Sequence, residues 1–256
     1  MTSALFFPTN SPLVKLYTPD QERPTDFVIE LISLPENRIG LNLVNAFHSA
    51  LDHIDNFMLG LPKEKENIGG SLITTSSGKF YSNGLDFSVF KNDPKEFNPF
   101  FWGLLTRLLV FRLPTIAAIN GHAFAGGCIL AMAHDYRVMN STRGYICMNE
   151  VDINVALKRG SSALIASKIS SDTTLKKMLL ECHRYSANEA KEYGIVDEAV
   201  PHDMVFSTAD KIAKRLSKKA LAKGEAFKMT KAELYYSTVL ALNSGEFVAG
   251  SYLSKL

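Results

Sequence analysis

A chain of 256 residues is long enough for one large domain or two small ones, and a fold of that size buries roughly three-quarters of the surface its unfolded chain exposes. Hydrophobic residues at 46% and charged residues at 21% exclude long disorder and fibrous repeats, and 28 Lys and Arg against 26 Asp and Glu leave a net charge of +2, too weak a field to make nucleic acid the main partner. The three cysteines, Cys128, Cys147 and Cys182, have the spacing of neither a disulfide framework nor a zinc knuckle, and no run approaches the roughly 18 apolar residues of a membrane span.

The opening Met1 to Asn10 lacks the charged start and long apolar core of a secretory signal. Phe27 to Leu34 and Gly70 to Ser76 read as short strands bounded by turn residues. Between them, from an expected N-cap at Asn42, the residues Leu43, Ala46, Phe47, Ala50, Leu51, Ile54, Phe57 and Met58 recur at helical spacing over about four turns, so the stretch predicts a helix with one face on a core. Strand, helix, strand in this order predicts a right-handed crossover and a parallel sheet, with Gly60 to Gly69 as a solvated loop. The theme returns in an aromatic-rich helix over Phe97 to Phe111, a strand at Thr115 to Ile119, an apolar helix over Gly126 to Ala133 and a strand at Tyr136 to Met139. Beyond Tyr185 the chain turns helical, at Ala187 to Tyr193, Met204 to Lys219 and Glu225 to Leu242, with weak strand character at Ile195 to Val200. The expected organisation is an α/β core over 1–195 followed by a helical C-terminal region over 196–256.

Two turns stand out. In NGHAFAGGCILAM, Asn120 to Met132, a glycine pair sits where a strand feeds a helix, and in KFYSNGLDF, Lys79 to Phe87, a glycine again separates a strand end from a helix start. The first N–H groups of a helix lack partners and lie at the positive end of its dipole, so a bare backbone there serves either close packing or an anionic oxygen. Two such turns together can aim paired N–H donors at one carbonyl oxygen and stabilise an enolate.

The two motifs, FYSNGLDF and PTIAAINGHAFAGGCILAMAHDYR, in this order and some 30 residues apart, with the later GIVDEAV, resemble the enoyl-CoA hydratase/isomerase (crotonase) superfamily over nearly the whole chain. The resemblance implies a spiral of ββα units with a helical C-terminal trimerisation region, and oxyanion-hole N–H groups on Leu85 and Gly126. It also implies acyl-CoA as substrate, no separate cofactor and a homotrimer or hexamer. Hydratases of the family carry two glutamates. The first position here is Ile129, which cannot hold a water, and the second survives as Glu150 in MNEVDIN. One carboxylate suits a proton shuttle, and the segment is similar to the Δ3,Δ2-enoyl-CoA isomerases of the superfamily, although Asn149 and Asn154 replace its usual proline and glycine and LKRGSSALIASKIS lacks the glycine-rich loop. A hydratase of a specialised acyl-CoA and a non-catalytic CoA-binding subunit are the alternatives, with Asp152 or His122 as the extra acid or base.

Candidate substrate contacts are Arg38 for the CoA phosphates, with Lys228 or Lys231 as other choices, and Phe87, Phe90, Phe101 and Ile129 for the acyl chain. Asp86 is expected to cap a helix, and His122 to be structural. No metal cluster or dinucleotide fingerprint is present. The terminal Ser254, Lys255 and Leu256 spell SKL, the address read by the peroxisomal import receptor, which makes the peroxisome the expected compartment.

Overall fold

The computed structural model describes residues 4–88 and 94–244, and for 94–98 only the backbone. Its larger sheet has seven strands in the order β1-β2-β3-β4-β6-β8-β10: β1 (Leu5–Phe7), β2 (Val14–Tyr17), β3 (Asp26–Leu31), β4 (Ser71–Ser76), β6 (Thr115–Ile119), β8 (Tyr136–Asn140) and β10 (Glu198–Val200). The first three pair antiparallel and the rest, from β3 on, parallel. A second, three-stranded sheet joins β5 (Phe80–Ser82), β7 (His122–Phe124) and β9 (Ile146–Cys147), all parallel. The pairs β4 and β5, β6 and β7, and β8 and β9 are consecutive along the chain, so each turn of the spiral gives one strand to each sheet.

The parallel strands are buried on both faces, which is why β6 reads as the unbroken apolar run TIAAI rather than as an alternation. On one face lie α1 (Leu41–Leu59), α2 (Pro94–Leu109) and α3 (Gly126–Met132), whose Phe47, Leu51, Leu105, Leu108 and Leu130 join the main core. On the other, Val205, Ala209 and Ala213 of α7 (Val205–Ser217) cover Val28, Ile73, Ile116 and Val138. The remaining described helices are α4 (Arg159–Ala166), α5 (Asp172–Leu179), α6 (Ala187–Glu192), α8 (Glu225–Leu234) and α9 (Tyr236–Ser244). None of the described helices is long and apolar enough to cross a membrane.

Several elements differ from expectation. Helix α1 starts two residues earlier, with Gly40 as N-cap and no side-chain cap, so Asn42 lies inside the helix, and Phe57 near its far end is 40% exposed, set edge-on to Phe27 at the rim of the sheet rather than in the core. The long helix expected over Glu225 to Leu242 is two helices, because Tyr235 at φ −105°, ψ 17° breaks the ladder between α8 and α9. The β1–β2 hairpin and helices α4 and α5 were not among the expected elements, although Thr174 and Met178 of α5 are buried at helical spacing. Helix α4 contains Gly160 and three polar residues in eight and gains its order by packing on α9, where a Cβ on Gly160 would lie 2.9 Å from Leu242 Cα. Beyond residue 195 the large sheet takes one more strand, β10, against β8, so the helical region starts inside the sheet's own packing.

Beside the two glycine turns the backbone approach is close at Gly127, where a Cβ would lie 2.2 Å from Ser82 O and 2.8 Å from Ser82 Cβ. Gly127→Ala must therefore push α3 away from β5, and we expect it to destabilise the fold by about 3 kcal/mol, the upper part of the usual overpacking range. Denaturant unfolding of wild type and variant measures the difference.

Candidate active site

The loop before α1 is stitched to the turn after β5. Asn83 N donates to Glu36 O (2.9 Å), Ile39 N to Gly84 O (2.8 Å) and Asp86 N to Ile39 O (2.9 Å), and Ser82 Oγ donates to Asn37 O (2.8 Å). Side chains reinforce the seam: the Glu36 carboxylate accepts from Arg38 Nε (2.6 Å) and Asn83 Nδ2 (2.9 Å), and Arg38 Nη1 reaches Leu85 O (3.4 Å). Leu85 bridges to Ile39 through its neighbours' groups, so its own N–H faces the other way.

Facing it is the N-terminus of α3. A Cβ on Gly126 would meet Leu85 Cδ2 at 2.7 Å and lie 3.3 Å from Leu85 N, and one on Gly84 would lie 3.4 Å from Gly126 N. The two turns thus touch backbone to backbone, and only glycine leaves the gap open. Ala125, the N-cap of α3, sits at φ 49°, ψ −118°, a conformation alanine adopts at a cost of order 1–3 kcal/mol. It is held there by bonds on both sides, Ala125 N to Cys147 O (3.0 Å) and Ile129 N to Ala125 O (3.0 Å), and it turns the following peptide so that the Gly126 N–H stands at the open end of the helix. Among the described residues, neither the Leu85 nor the Gly126 N–H has a protein acceptor.

These N–H groups border a cavity of about 190 Å³. Leu85, Phe87, Phe101, Phe124, Gly126 and Ile129 make one part of its wall, and Asn149, Glu150 and the segment from Ile153 to Lys158 another, with Arg38 at its edge. Glu150 is 9% exposed, and its Oε2 has no hydrogen-bond partner among the described residues. Burial pushes its carboxyl up to about 7, opposed only by a bond from its own backbone; no cation offsets the loss of water. It is placed by β9 and by a 3-10 turn over Val151–Ile153 for which it is the N-cap, a turn closed by Asn154 in the left-handed region at φ 56°. Asparagine tolerates that region, which accounts for a non-glycine residue there.

The structure brings together Leu85, Gly126, Glu150, Ile129, Arg38, Phe87 and Phe101 around one cavity. Phe90, Ser254, Lys255 and Leu256 lie outside the described residues. Asp152 is exposed and does not line the cavity. His122 lies on the small sheet, where Nδ1 accepts from Tyr145 N (3.2 Å) and the ring packs on Phe80 and Phe124; burial, and then the charges of Lys79, Arg143 and Arg184, lower its pKa. Asp86 accepts from Ser88 N (3.0 Å) in the manner of a cap. Lys231, an alternative for the CoA phosphates, is instead 5% exposed and paired with Asp135 Oδ2 at 2.8 Å, because α8 turns that side chain into the body of the protein. Sequence reasoning missed Ala125, Asn149, Lys158 and Ser161. None stands out by residue type, and only the fold puts the segment 153–161 into the wall of the cavity that the two glycine turns border.

Residues 39–247 match the family described as Enoyl-CoA hydratase/isomerase. The chain belongs to this family. It is 34% identical over 182 residues to "Enoyl-CoA delta isomerase 1, peroxisomal" of Arabidopsis thaliana, an alignment covering 70% of this chain and 73% of that protein. Among solved structures, human mitochondrial delta3-delta2-enoyl-CoA isomerase superposes with a TM-score of 0.76 at 25% identity over 91% of this chain and 86% of that one. An enoyl-CoA isomerase of Mycobacterium tuberculosis superposes with a TM-score of 0.78 at 22% identity, over 91% of this chain and 95% of that one, and shares the crotonase-type fold.

The raised pKa of Glu150 has a measurable consequence for stability. Its folded value of about 7 lies above the ordinary 4.5, so between those values the folded state holds the proton more tightly and stability falls as pH rises. Above pH 7 the buried charge costs about 3 kcal/mol, taking 1.36 kcal/mol per unit. Glu150→Gln removes that cost, so the variant is expected to be more stable than wild type at pH 8, with the difference fading by pH 5; melting curves at the two pH values test it.

Proposed function

We propose that this protein is a Δ3,Δ2-enoyl-CoA isomerase in which Glu150 moves one proton and the Leu85 and Gly126 N–H groups hold the thioester oxygen. The observation behind this reading is that Glu150 is the single acidic residue lining the described cavity, buried and without a partner, while Ile129 stands on the α3 side. Hydration needs a water held and activated beside the acceptor carbon, and one carboxylate against an apolar wall does that poorly. A double-bond shift needs one base that returns the same proton.

The steps follow from the chemistry of the thioester. The ionised Glu150 carboxylate removes a proton from C2 of a 3-enoyl-CoA. The C2–H electron pair becomes part of a dienolate whose negative oxygen accepts from Leu85 N–H and Gly126 N–H. The protonated Glu150 then delivers the proton to C4, the C3–C4 π pair forms the new C4–H bond, and the double bond lies between C2 and C3 in conjugation with the carbonyl. A pKa near 7 suits both halves: the group is ionised at neutral pH and its conjugate acid remains strong enough to give the proton back. The low-dielectric cavity also strengthens the oxyanion bonds relative to water. Coenzyme A is the handle of the substrate, and Arg38, which lines the cavity, would meet its phosphates.

Purified protein given 3-enoyl-CoA is expected to form the conjugated thioester, and Glu150→Gln to lower kcat by at least about 10³-fold, within the range known for general acid–base groups. Hydration of 2-enoyl-CoA by wild type at a comparable rate would overturn the isomerase reading. The kcat/KM of wild type is expected to rise about tenfold per pH unit up to about 7 and then level off, because only the ionised carboxylate accepts the C2 proton. Gly126→Ala, whose Cβ collides with Leu85, is expected to cost roughly 10²–10³ in kcat.

For the compartment we propose the peroxisome, supported by Arabidopsis thaliana relatives named peroxisomal. The product would then enter β-oxidation of unsaturated fatty acyl-CoAs. A fluorescent fusion bearing Ser254, Lys255 and Leu256 at its terminus should enter peroxisomes, and the same fusion without them should stay outside. Self-association as a trimer or hexamer is also proposed, since Met229, Leu234, Tyr236 and Leu240 of α8 and α9 are all more than half exposed.

A further inference from the structure

Ala125 joins a glycine's backbone to a side chain. Its φ of 49° and ψ of −118° lie outside the regions open to residues with a Cβ and match the position of a type II′ turn that glycine fills at no steric cost. Its neighbours obey the opposite rule. Gly126 and Gly127 are bare because a Cβ would strike Leu85 or Ser82, whereas position 125 carries a Cβ that its own backbone would be easier without.

The methyl has a definite place. Ala125 lines the cavity next to Gly126, and its Cβ lies 3.2 Å from the point where a Cβ on Gly84 would stand. Gly84, at φ 83°, has no Cβ, so the methyl packs on the bare backbone of the turn that carries the other donor, Leu85. The residue is also tied at both ends, its N–H to Cys147 O and its carbonyl oxygen to Ile129 N, each at 3.0 Å.

These contacts bear on the aim of the Gly126 N–H. The peptide from Ala125 C=O to Gly126 N–H is one rigid plane, and it turns about ψ of residue 125 and φ of residue 126. Gly126 offers little resistance on its side. Resistance must come from residue 125, and alanine supplies it through its methyl. A glycine there would make three in a row, 125–127, and leave the plane free to rock. The donor of an oxyanion has to lie within a few tenths of an ångström of its best distance to be effective, so rocking would weaken it.

Resting on the isomerase reading above, we propose that Ala125 is a positioning residue: its methyl, set against Gly84, locks the 125–126 peptide so that the Gly126 N–H keeps its aim at the thioester oxygen while the dienolate forms. The backbone strain at Ala125 is then the cost of a fixed donor. A methyl that served packing alone would act differently, since removing it would lower stability and leave the chemistry intact.

The test compares wild type, Ala125→Gly and Ala125→Ser with 3-hexenoyl-CoA. The glycine variant should lose about tenfold in kcat, a part of the 10²–10³ that losing an oxyanion donor outright costs, with KM within about twofold, because the aim matters most to charge that develops in the transition state. Its denaturant midpoint should stand at or above that of wild type, since glycine releases the strain. Ala125→Ser keeps the Cβ and should recover most of the kcat. An unchanged kcat in Ala125→Gly, a midpoint that falls together with kcat, or a serine variant as slow as the glycine one overturns the proposal.

A second ligand reads the donors without the proton shuttle. Acetoacetyl-CoA equilibrates between a keto form and a conjugated enolate, whose negative oxygen needs the same N–H groups and whose ultraviolet absorbance reports its amount. At fixed pH the bound enolate-to-keto ratio should be higher than in free ligand for wild type and fall about tenfold in Ala125→Gly. If wild type does not isomerise 3-hexenoyl-CoA but this ratio falls in the glycine variant and returns in the serine one, the isomerase reading fails and the role of Ala125 stands. Equal ratios in wild type and Ala125→Gly remove that role whatever the chemistry.

Discussion

The site depends on a backbone-to-backbone approach. The turn after β5 and the turn before α3 come so close that a single Cβ on Gly126 or Gly127 would collide with its neighbour. Everything else in the site is arranged around that contact. The seam of bonds from Glu36, Asn37 and Ile39 holds the first turn in place, and the bond from Ala125 N to Cys147 O holds the second. With both held, the Leu85 and Gly126 N–H groups are left without protein acceptors among the described residues, against the general rule that buried amides are paired. That imbalance is local, and the surrounding sheets are regular enough to sustain it.

The second constraint is electrostatic and lies across the cavity. Glu150 is desolvated with only a bond from its own backbone to offset it, and no charged side chain lowers its pKa. Arg38 is bound to Glu36, and Lys158 stands over Trp102. The fold therefore keeps cations beside the cavity and away from its carboxylate. Pairing Glu150 with either would lower its pKa and remove the basicity that a dry wall gives it. The strained Ala125, the unpartnered donors and the unpaired acid all lie within this region, a clustering of local costs typical of sites selected for work rather than for stability.

How far the sequence foretold this depends on the element. Strands β4 and β6 and helices α1 and α3 were legible because burial on fixed faces writes a period or an apolar run into the chain. The glycine turns were legible for a related reason, since a close approach admits one residue type. The superfamily resemblance, with its ββα spiral, agrees with the two-sheet architecture and with the family match. What was illegible lacked either signature. Helix α4, with its serines and glycine, is made by contact with α9, and Tyr235 breaks a continuous helical pattern by a local turn of the backbone. Lys158 and Ser161 are ordinary surface residues by type, and their place in the cavity wall comes from the crossover between β9 and α4. Lys231 shows the converse, a lysine expected at the surface that the fold buries against Asp135.

The spiral also has a kinetic meaning. Leu85, Gly126 and Glu150 lie on three successive turns, and each turn closes only when a strand pairs with one laid down by the previous turn. Such non-local, parallel pairing is slow compared with helix formation. A chain that has ordered its helices but not its last crossover has no cavity to offer a thioester. Ligand affinity should therefore appear late in folding, together with the completed small sheet, and a bound acyl-CoA would stabilise only the finished structure.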